Sequence, residues 1–126
     1  MILITGGAYQ GKLEYALTEY KLTLDDVFNC TNTDNEQVFN KRIIYGAEKW
    51  ILSLIQKGQD PLEILEEMIP KWKDKIIICN DISCGVVPID PLMRKWREAV
   101  GRCMTLCAKH SETVVRVFCG IGTKIK

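Results

Sequence analysis

The hydrophobic pattern of the chain alternates between short apolar runs and longer stretches with helical spacing. The run at 75–79 (KIIIC) is continuous and β-branched, which is typical of a strand covered on both faces. Three other short apolar runs have similar lengths and end at polar or glycine residues. The pattern therefore predicts strands at 1–5 (MILIT), 27–31 (VFNCT), 75–79 and 113–119 (TVVRVFC).

Helical spacing fills the intervals between these runs. A long helix is predicted from a cap at Thr33 or Asp34, through apolar positions that include Ile43 and Ile44, to an end near Gly58. Asp60 and Pro61 have the cap-then-proline pattern of a helix start, and Pro70 ends or kinks that helix. The predicted helices are 12–21, the long helix, 60–72 and 91–110.

This alternation of strands and helices predicts an α/β fold, with a mostly parallel sheet of about four strands flanked by helices. Gly120 and Gly122 are expected to turn the chain into a short basic tail. We find no repeat, low-complexity tract or linker, so residues 1–126 are expected to form a single domain.

Composition excludes several classes of function. The net charge is +1, which gives no general affinity for nucleic acid or an anionic membrane. No apolar run approaches the roughly 20 residues that span a bilayer. The first residues lack the basic and apolar regions of a signal peptide. We therefore expect a cytoplasmic protein.

The six cysteines are expected to be free thiols, as is usual in a cytosolic chain. Cys103 and Cys107 would share a helix face, and with Cys79 and Cys84 they could form a four-thiolate site. No pair has the short CxxC spacing of a structural zinc site, so no metal site is predicted.

The segment GGAYQGK matches the phosphate-loop pattern G-x-x-x-x-G-K and lies between a predicted strand and a predicted helix. Glycines allow a close backbone approach, so that successive amides and the helix N-terminus face a phosphate, and the lysine reaches the outer phosphates. The candidate nucleotide-binding residues are Gly6, Gly7, Ala8, Tyr9, Gln10, Gly11, Lys12 and Leu13, with Lys12 also a candidate catalytic residue.

The residue after the lysine departs from this pattern. A full motif has Ser or Thr there, whose hydroxyl ligates Mg²⁺, whereas this chain has Leu13. The alternative interpretation is a glycine-rich turn that binds nothing. Lys41, Arg42 and Lys49, on the predicted long helix, could hold a nucleotide phosphate, but a solvated face is the commoner use of such residues.

The C-terminal half adds a resemblance. The segments NDISCGVVPIDPLMRKWREAVGR and VVRVFCGIGTKIK resemble the bifunctional adenosylcobinamide kinase/adenosylcobinamide-phosphate guanylyltransferase family of cobalamin biosynthesis. That family has a T-N-E-V-G-x-G-x-V-P strand end, an R-x-x-R-D-x-x-G-R helix and a closing G-I-G-x-K-x-K. The opening MILITGGAYQGK is similar to its M-I-L-V-T-G-G-A-R-S-G-K-S, and VFNCT to its second strand.

The resemblance implies a small P-loop (RecA-like) domain that binds GTP or ATP, with Mg²⁺ as a further expected ligand. It implies a cobinamide-type corrinoid as partner and a homo-oligomer, typically a trimer. It adds Thr31, at the end of the second strand, to the nucleotide-binding candidates. Asp81 matches the family's glutamate and is a candidate for a catalytic metal or water contact; alternatively it caps the following turn.

Three departures from the family limit the expected chemistry. Leu13 replaces a serine, the family's strand before its T-N-E strand has no counterpart in the pattern, and no histidine precedes His110. The family transfers GMP through a histidine on the helix after the second strand. We therefore expect guanylyl transfer to be lost and kinase activity to be impaired; the alternative is a non-catalytic oligomeric regulator or scaffold with a relic loop.

Overall fold

The computed structural model describes residues 1–31, 40–82 and 88–126. These residues form a six-stranded sheet with helices packed against both faces, which confirms the predicted α/β class. The strands are β1 (Ile2–Gly6), β2 (Val27–Asn29), β3 (Ile43–Tyr45), β4 (Ile76–Asn80), β5 (Thr113–Phe118) and β6 (Ile121–Lys124). The helices are α1 (Lys12–Glu19), α2 (Ala47–Gln56), α3 (Pro61–Met68) and α4 (Pro91–His110), with short 3₁₀ turns at Leu24–Asp26 and Ile69–Lys71.

The sheet order is β2-β3-β4-β1-β5-β6. All pairs are parallel except β5 with β6, which is antiparallel. The central strand β1 lies between β4 and β5, so Ile2 is opposite both Ile76 and Thr113. The carboxyl ends of β1, β3 and β4 therefore meet at one edge of the sheet, which is where open α/β sheets bind their ligands.

The two faces of the sheet have separate cores because alternate side chains of a strand point to opposite faces. Leu3 and Ile77 pack with residues of α2, α3 and α4 and with the fully buried Trp72, which follows the 3₁₀ turn at Ile69–Lys71. Ile4 and Ile78 face the other way and pack against Ala16 of α1. This two-sided burial explains the continuous apolar runs of β1 and β4.

The prediction of one long helix ending near Gly58 was wrong at its start. Ile43 and Ile44 lie in β3, which pairs with β2 and β4, and both are buried. Gly46 then adopts a left-handed conformation with φ 81°, and α2 begins only at Ala47. The β-branched pair is thus buried on the two faces of a sheet instead of along one face of a helix.

The predicted basic tail was also wrong. Cys119 and Gly120 have φ angles of 51° and 75°, which form a tight turn between β5 and β6. Residues 121–124 return along β5 as an edge strand. The sheet therefore has six strands where about four were predicted, because β3 and β6 are short and their sequences do not stand out.

The remaining helix predictions were confirmed. Asp60 accepts a 3.1 Å hydrogen bond from the Leu62 N–H, and Asp90 accepts one of 2.8 Å from the Leu92 N–H, so both act as N-caps before a proline. The α3 helix ends at Met68, just before Pro70. The predicted caps Thr33 and Asp34, and Cys84 of the four-thiolate alternative, lie outside the described residues.

Candidate functional site

The glycine loop connects β1 to α1 at the carboxyl edge of the sheet. It needs unusual backbone angles at three positions: φ is 151° at Gly6, 60° at Tyr9 and 86° at Gly11. A Cβ at Gly6 would lie 2.4 Å from the carbonyl oxygen of Val117, so only glycine allows β5 to approach this closely. Tyr9 adopts the left-handed conformation without being glycine, at a cost of about 1 kcal/mol, and its side chain is fully exposed.

Lys12 is almost fully buried, with 4% of its surface exposed. Its Nζ donates a 2.6 Å hydrogen bond to the Gly7 carbonyl, so the ammonium group lies inside the curve of the loop. Burial lowers the pKa of Lys12, and the negative charge of Glu48 partly opposes this shift. The loop thus holds a cation at the point where the phosphate-loop pattern requires one.

Glu48, in the first turn of α2, is a site residue that the sequence analysis missed. It is 3% exposed, and its Oε2 accepts a 3.0 Å hydrogen bond from the Asn80 N–H at the end of β4. Its carbonyl oxygen accepts a 2.7 Å hydrogen bond from the indole Nε1–H of Trp96 on α4. A buried carboxylate is thereby held close enough to the ammonium group of Lys12 to act on its pKa.

The signal that could have identified Glu48 is its position two residues after a glycine that follows a strand. In a parallel sheet, residues just beyond strand ends gather at one edge. The sequence pattern predicts one helix through Ile43 and Ile55, so it does not show that Glu48 lies just beyond the end of a strand.

A cavity of about 630 Å³ opens beside the loop. This volume is in the range of small-molecule sites. Its wall combines loop residues with residues from the ends of β3 and β4 and from α2. The lining residues are Ala8, Tyr9, Gln10, Gly11, Lys12, Leu13, Glu14, Tyr45, Lys49 and Asn80.

The other predicted site residues lie outside this lining. Gly6 and Gly7 form the base of the loop, and Gly7 contacts Lys12. Asp81 follows β4, and its N–H donates a 2.9 Å hydrogen bond to the Gly6 carbonyl, which places its backbone next to the loop. Thr31 follows β2, which β3 and β4 separate from β1, and its hydroxyl donates to Asn29 at 2.8 Å. At a strand spacing of about 4.8 Å, Thr31 is roughly 14 Å from the loop.

The turn between β5 and β6 supports the loop from the other side. The side-chain Oε1 of Gln10 accepts a 2.7 Å hydrogen bond from the Cys119 N–H. The carbonyl oxygen of Gln10 accepts a 2.8 Å hydrogen bond from the Gly120 N–H. Gln10 is therefore bound to this turn by both its main chain and its side chain.

His110 lies at the opposite edge of the sheet. It is the last residue of α4 and precedes β5, whose Thr113 is opposite Ile2 at the start of β1. The loop follows the other end of β1, about 15 Å away at roughly 3.3 Å per residue. The chain has one histidine, and it does not lie at the cavity.

The cysteines are mostly part of the core. Cys30, Cys79, Cys103 and Cys107 are buried, and burial raises the pKa of each thiol, to about 12 for Cys30 and Cys107 and to about 11 for Cys103. Within residues 1–31, 40–82 and 88–126, no group of three His, Cys, Asp or Glu side chains could hold a metal ion. Of the five cysteines that the structure describes, Cys119 is exposed and the other four are buried.

The strand, the glycine loop with its buried lysine, and the following helix on a mostly parallel sheet define a P-loop-type α/β domain. In the described part of the chain, no helix is long and apolar enough to cross a membrane.

Comparison with known proteins narrows this class. A family model described as cobinamide kinase / cobinamide phosphate guanyltransferase matches residues 36–125. The bifunctional adenosylcobalamin biosynthesis protein CobU of Salmonella typhimurium is 30% identical over 81 residues, which is 63% of this chain and 45% of that protein. The chain belongs to the cobinamide kinase / cobinamide phosphate guanyltransferase family, as its resemblance predicted. The family match begins after the loop, so the loop is assigned from its own pattern and geometry.

Proposed function

We propose that the protein binds a nucleoside triphosphate, GTP or ATP, with its phosphates in the glycine loop. The observation that carries this proposal is the buried ammonium group of Lys12. It lies inside a loop with left-handed backbone angles at Tyr9 and Gly11, and this loop opens on a cavity of about 630 Å³. Burying an ammonium group costs free energy unless polar or anionic groups bind it, and an anionic phosphate chain would bind it through charge-assisted hydrogen bonds.

Within the family, the reaction best supported is phosphoryl transfer without guanylyl transfer. Covalent transfer of GMP needs a nucleophilic side chain at the nucleotide. The single histidine of the chain, His110, is at the far edge of the sheet. Lys12 would neutralise developing charge on the transferred phosphoryl group, and Asp81, beside Gly6, would orient the acceptor or a water molecule. The proposed acceptor is a cobinamide-type corrinoid, which the family description names.

Calorimetric titration with GTP and ATP tests nucleotide binding. We expect binding by the natural chain, and loss of at least about tenfold in affinity in Lys12→Met, since charge-assisted hydrogen bonds contribute roughly 1.5–3 kcal/mol. Lys57→Met is the matched control, because Lys57 is an exposed lysine at the end of α2 and does not line the cavity. Equal affinities for the two variants would contradict the proposal. Phosphorylation of cobinamide by the natural chain would then test the kinase reaction.

A second candidate function is a non-catalytic oligomeric regulator or scaffold whose loop is a relic. Two observations favour it: Leu13 replaces the metal-binding hydroxyl, and three apolar residues are exposed around the start of α4. These residues, Ile89, Leu92 and Met93, would be covered in a homo-oligomer such as a trimer. Absence of nucleotide binding in a folded chain, together with a trimeric mass by light scattering, would select this function.

A further inference from the structure

The described residues do not fit the Mg²⁺ ion that a phosphate loop implies. The position after the loop lysine is Leu13, which has no oxygen donor. The buried carboxylate whose charge acts on Lys12 belongs to Glu48, and its Oε2 accepts the Asn80 N–H. Among the described residues, no group of three His, Cys, Asp or Glu side chains could hold a metal ion. The charge of a triphosphate therefore needs another partner.

A second lysine lies on the wall of the same cavity. Lys49 is exposed, in the first turn of α2, and lines the cavity together with Lys12. Its stem folds back over the N-terminus of α2: a Cβ at Gly46 would be 3.9 Å from the Cδ of Lys49. Its charge also acts on the thiol of Cys30, just beyond β2, and opposes the increase in that pKa. Lys49 thus lies at the carboxyl edge of the sheet, in the wall of the cavity beside the loop.

The surrounding charges leave Lys49 available to a ligand. A salt bridge joins Arg102 to Glu98 on α4, whereas Lys49 forms none with another residue that the structure describes. The acidic residue in the cavity lining is Glu14, in the first turn of α1, and the buried Glu48 is not part of that lining. Two lysines that line one cavity, Lys49 exposed and Lys12 buried, are suited to bind a polyphosphate together.

We propose that Lys49 binds the phosphate chain of a nucleoside triphosphate and supplies the positive charge that Mg²⁺ would supply if Leu13 were a Ser or Thr, so that nucleotide binds without the metal. This inference rests on the proposed nucleotide binding and adds a residue from α2 to the site. It also changes the role of the α2 lysine from a solvated surface group to a ligand-binding group.

The test is fluorescence titration with a GTP analogue in EDTA and in Mg²⁺, for the natural chain and for Lys49→Met, Lys49→Arg and Lys57→Met. We expect the natural chain to bind with the same affinity within about twofold in both buffers, because Leu13 lacks the hydroxyl that ligates Mg²⁺ in a full phosphate-loop motif. We expect Lys49→Met to weaken binding about tenfold in EDTA, the size of one charge-assisted contact. Lys49→Arg should retain most of the affinity, and Lys57→Met all of it.

The outcomes separate the two proposals. Binding that Lys12→Met abolishes but that Lys49→Met leaves equal to Lys57→Met would overturn the role of Lys49 alone. Binding by the natural chain that disappears in EDTA would overturn metal independence alone. No binding in either buffer, with unchanged circular dichroism, would overturn the nucleotide site and this inference together.

Discussion

The side-chain oxygen of Gln10, in the phosphate loop, is 2.7 Å from the backbone nitrogen of Cys119, in the turn between β5 and β6. A second hydrogen bond joins the Gln10 carbonyl to the Gly120 N–H at 2.8 Å. The loop is therefore held in place by the C-terminal hairpin as well as by β1 and α1. Gln10 lines the cavity, but its side-chain oxygen is hydrogen-bonded to the Cys119 N–H of the protein itself.

Replacing Gln10 with methionine should release the loop from the hairpin. Methionine has a similar length but no strong acceptor, so the Cys119 N–H would lose its partner. We expect the Cys119 amide to exchange with solvent about fivefold faster, since one neutral hydrogen bond contributes roughly 1 kcal/mol. Exchange measured by NMR checks this without any nucleotide. Gln59→Met, at an exposed position after α2, is the control and should leave the amide unchanged.

Two glycine-to-alanine substitutions should change stability in opposite directions. A Cβ at Gly6 would be 2.4 Å from the Val117 oxygen, and its φ of 151° is costly for alanine, so we expect Gly6→Ala to lower the free energy of unfolding. The loss should be at least about 3 kcal/mol from strain and collision combined. Gly101 lies within α4, where a Cβ would meet no atom within 4 Å. Gly101→Ala should raise the free energy by about 0.5–1 kcal/mol.

Urea unfolding of both variants checks these values. A Gly6→Ala chain that is as stable as the natural one would show that β1 and β5 can separate without cost at this point. A loss of stability in Gly101→Ala would show that α4 is covered at Gly101 in solution.

The buried carboxylate of Glu48 should tolerate glutamine better than alanine. Glutamine keeps an oxygen that accepts the Asn80 N–H, whereas alanine leaves that buried donor without a partner. We expect Glu48→Ala to cost about 1–3 kcal/mol more than Glu48→Gln in the free energy of unfolding. Both should lower the pKa of Lys12 further, because they remove the charge that raises it. Equal stabilities would mean that water satisfies the Asn80 N–H.

The buried thiols should make the fold less stable at alkaline pH. The pKa of Cys107 is raised from 9.0 to about 12 by burial, so between these values the folded chain holds a proton that the unfolded chain has lost. Stability from this thiol is present below pH 9.0 and is lost as pH rises toward 12. The maximum slope is about 1.4 kcal/mol per pH unit for each such thiol. The contribution of Lys12 has the opposite sign: because its pKa is lowered in the folded chain, its effect on the free energy of unfolding becomes more favourable as pH rises.

Urea unfolding at pH 8 and pH 10.5 isolates this effect when the natural chain is compared with Cys107→Ala. The variant should lose less stability between the two pH values, because one titrating thiol is gone. Parallel losses in the two chains would show that Cys107 is in contact with solvent.

The sequence predicted the elements with strong local signals. The loop followed from its glycine and lysine spacing, and α3 and α4 from their cap-then-proline starts. It did not predict β3, because Ile43–Tyr45 is short and its isoleucines also fit the helical spacing of α2. It did not predict β6 either, since that strand exists only through pairing with β5. Glu48 and Lys49 became site residues only once the start of α2 was correctly placed at the sheet edge.

The pairing of Gln10 with Cys119 also has a consequence for synthesis on the ribosome. The two residues are 109 positions apart, so the loop emerges from the ribosome long before its support exists. The same holds for β1, whose neighbours β4 and β5 are translated later. Contacts this distant in sequence form slowly. The phosphate loop of the nascent chain therefore gains this support only when the β5–β6 hairpin has been released, and a message cut short before that hairpin would encode a loop without it.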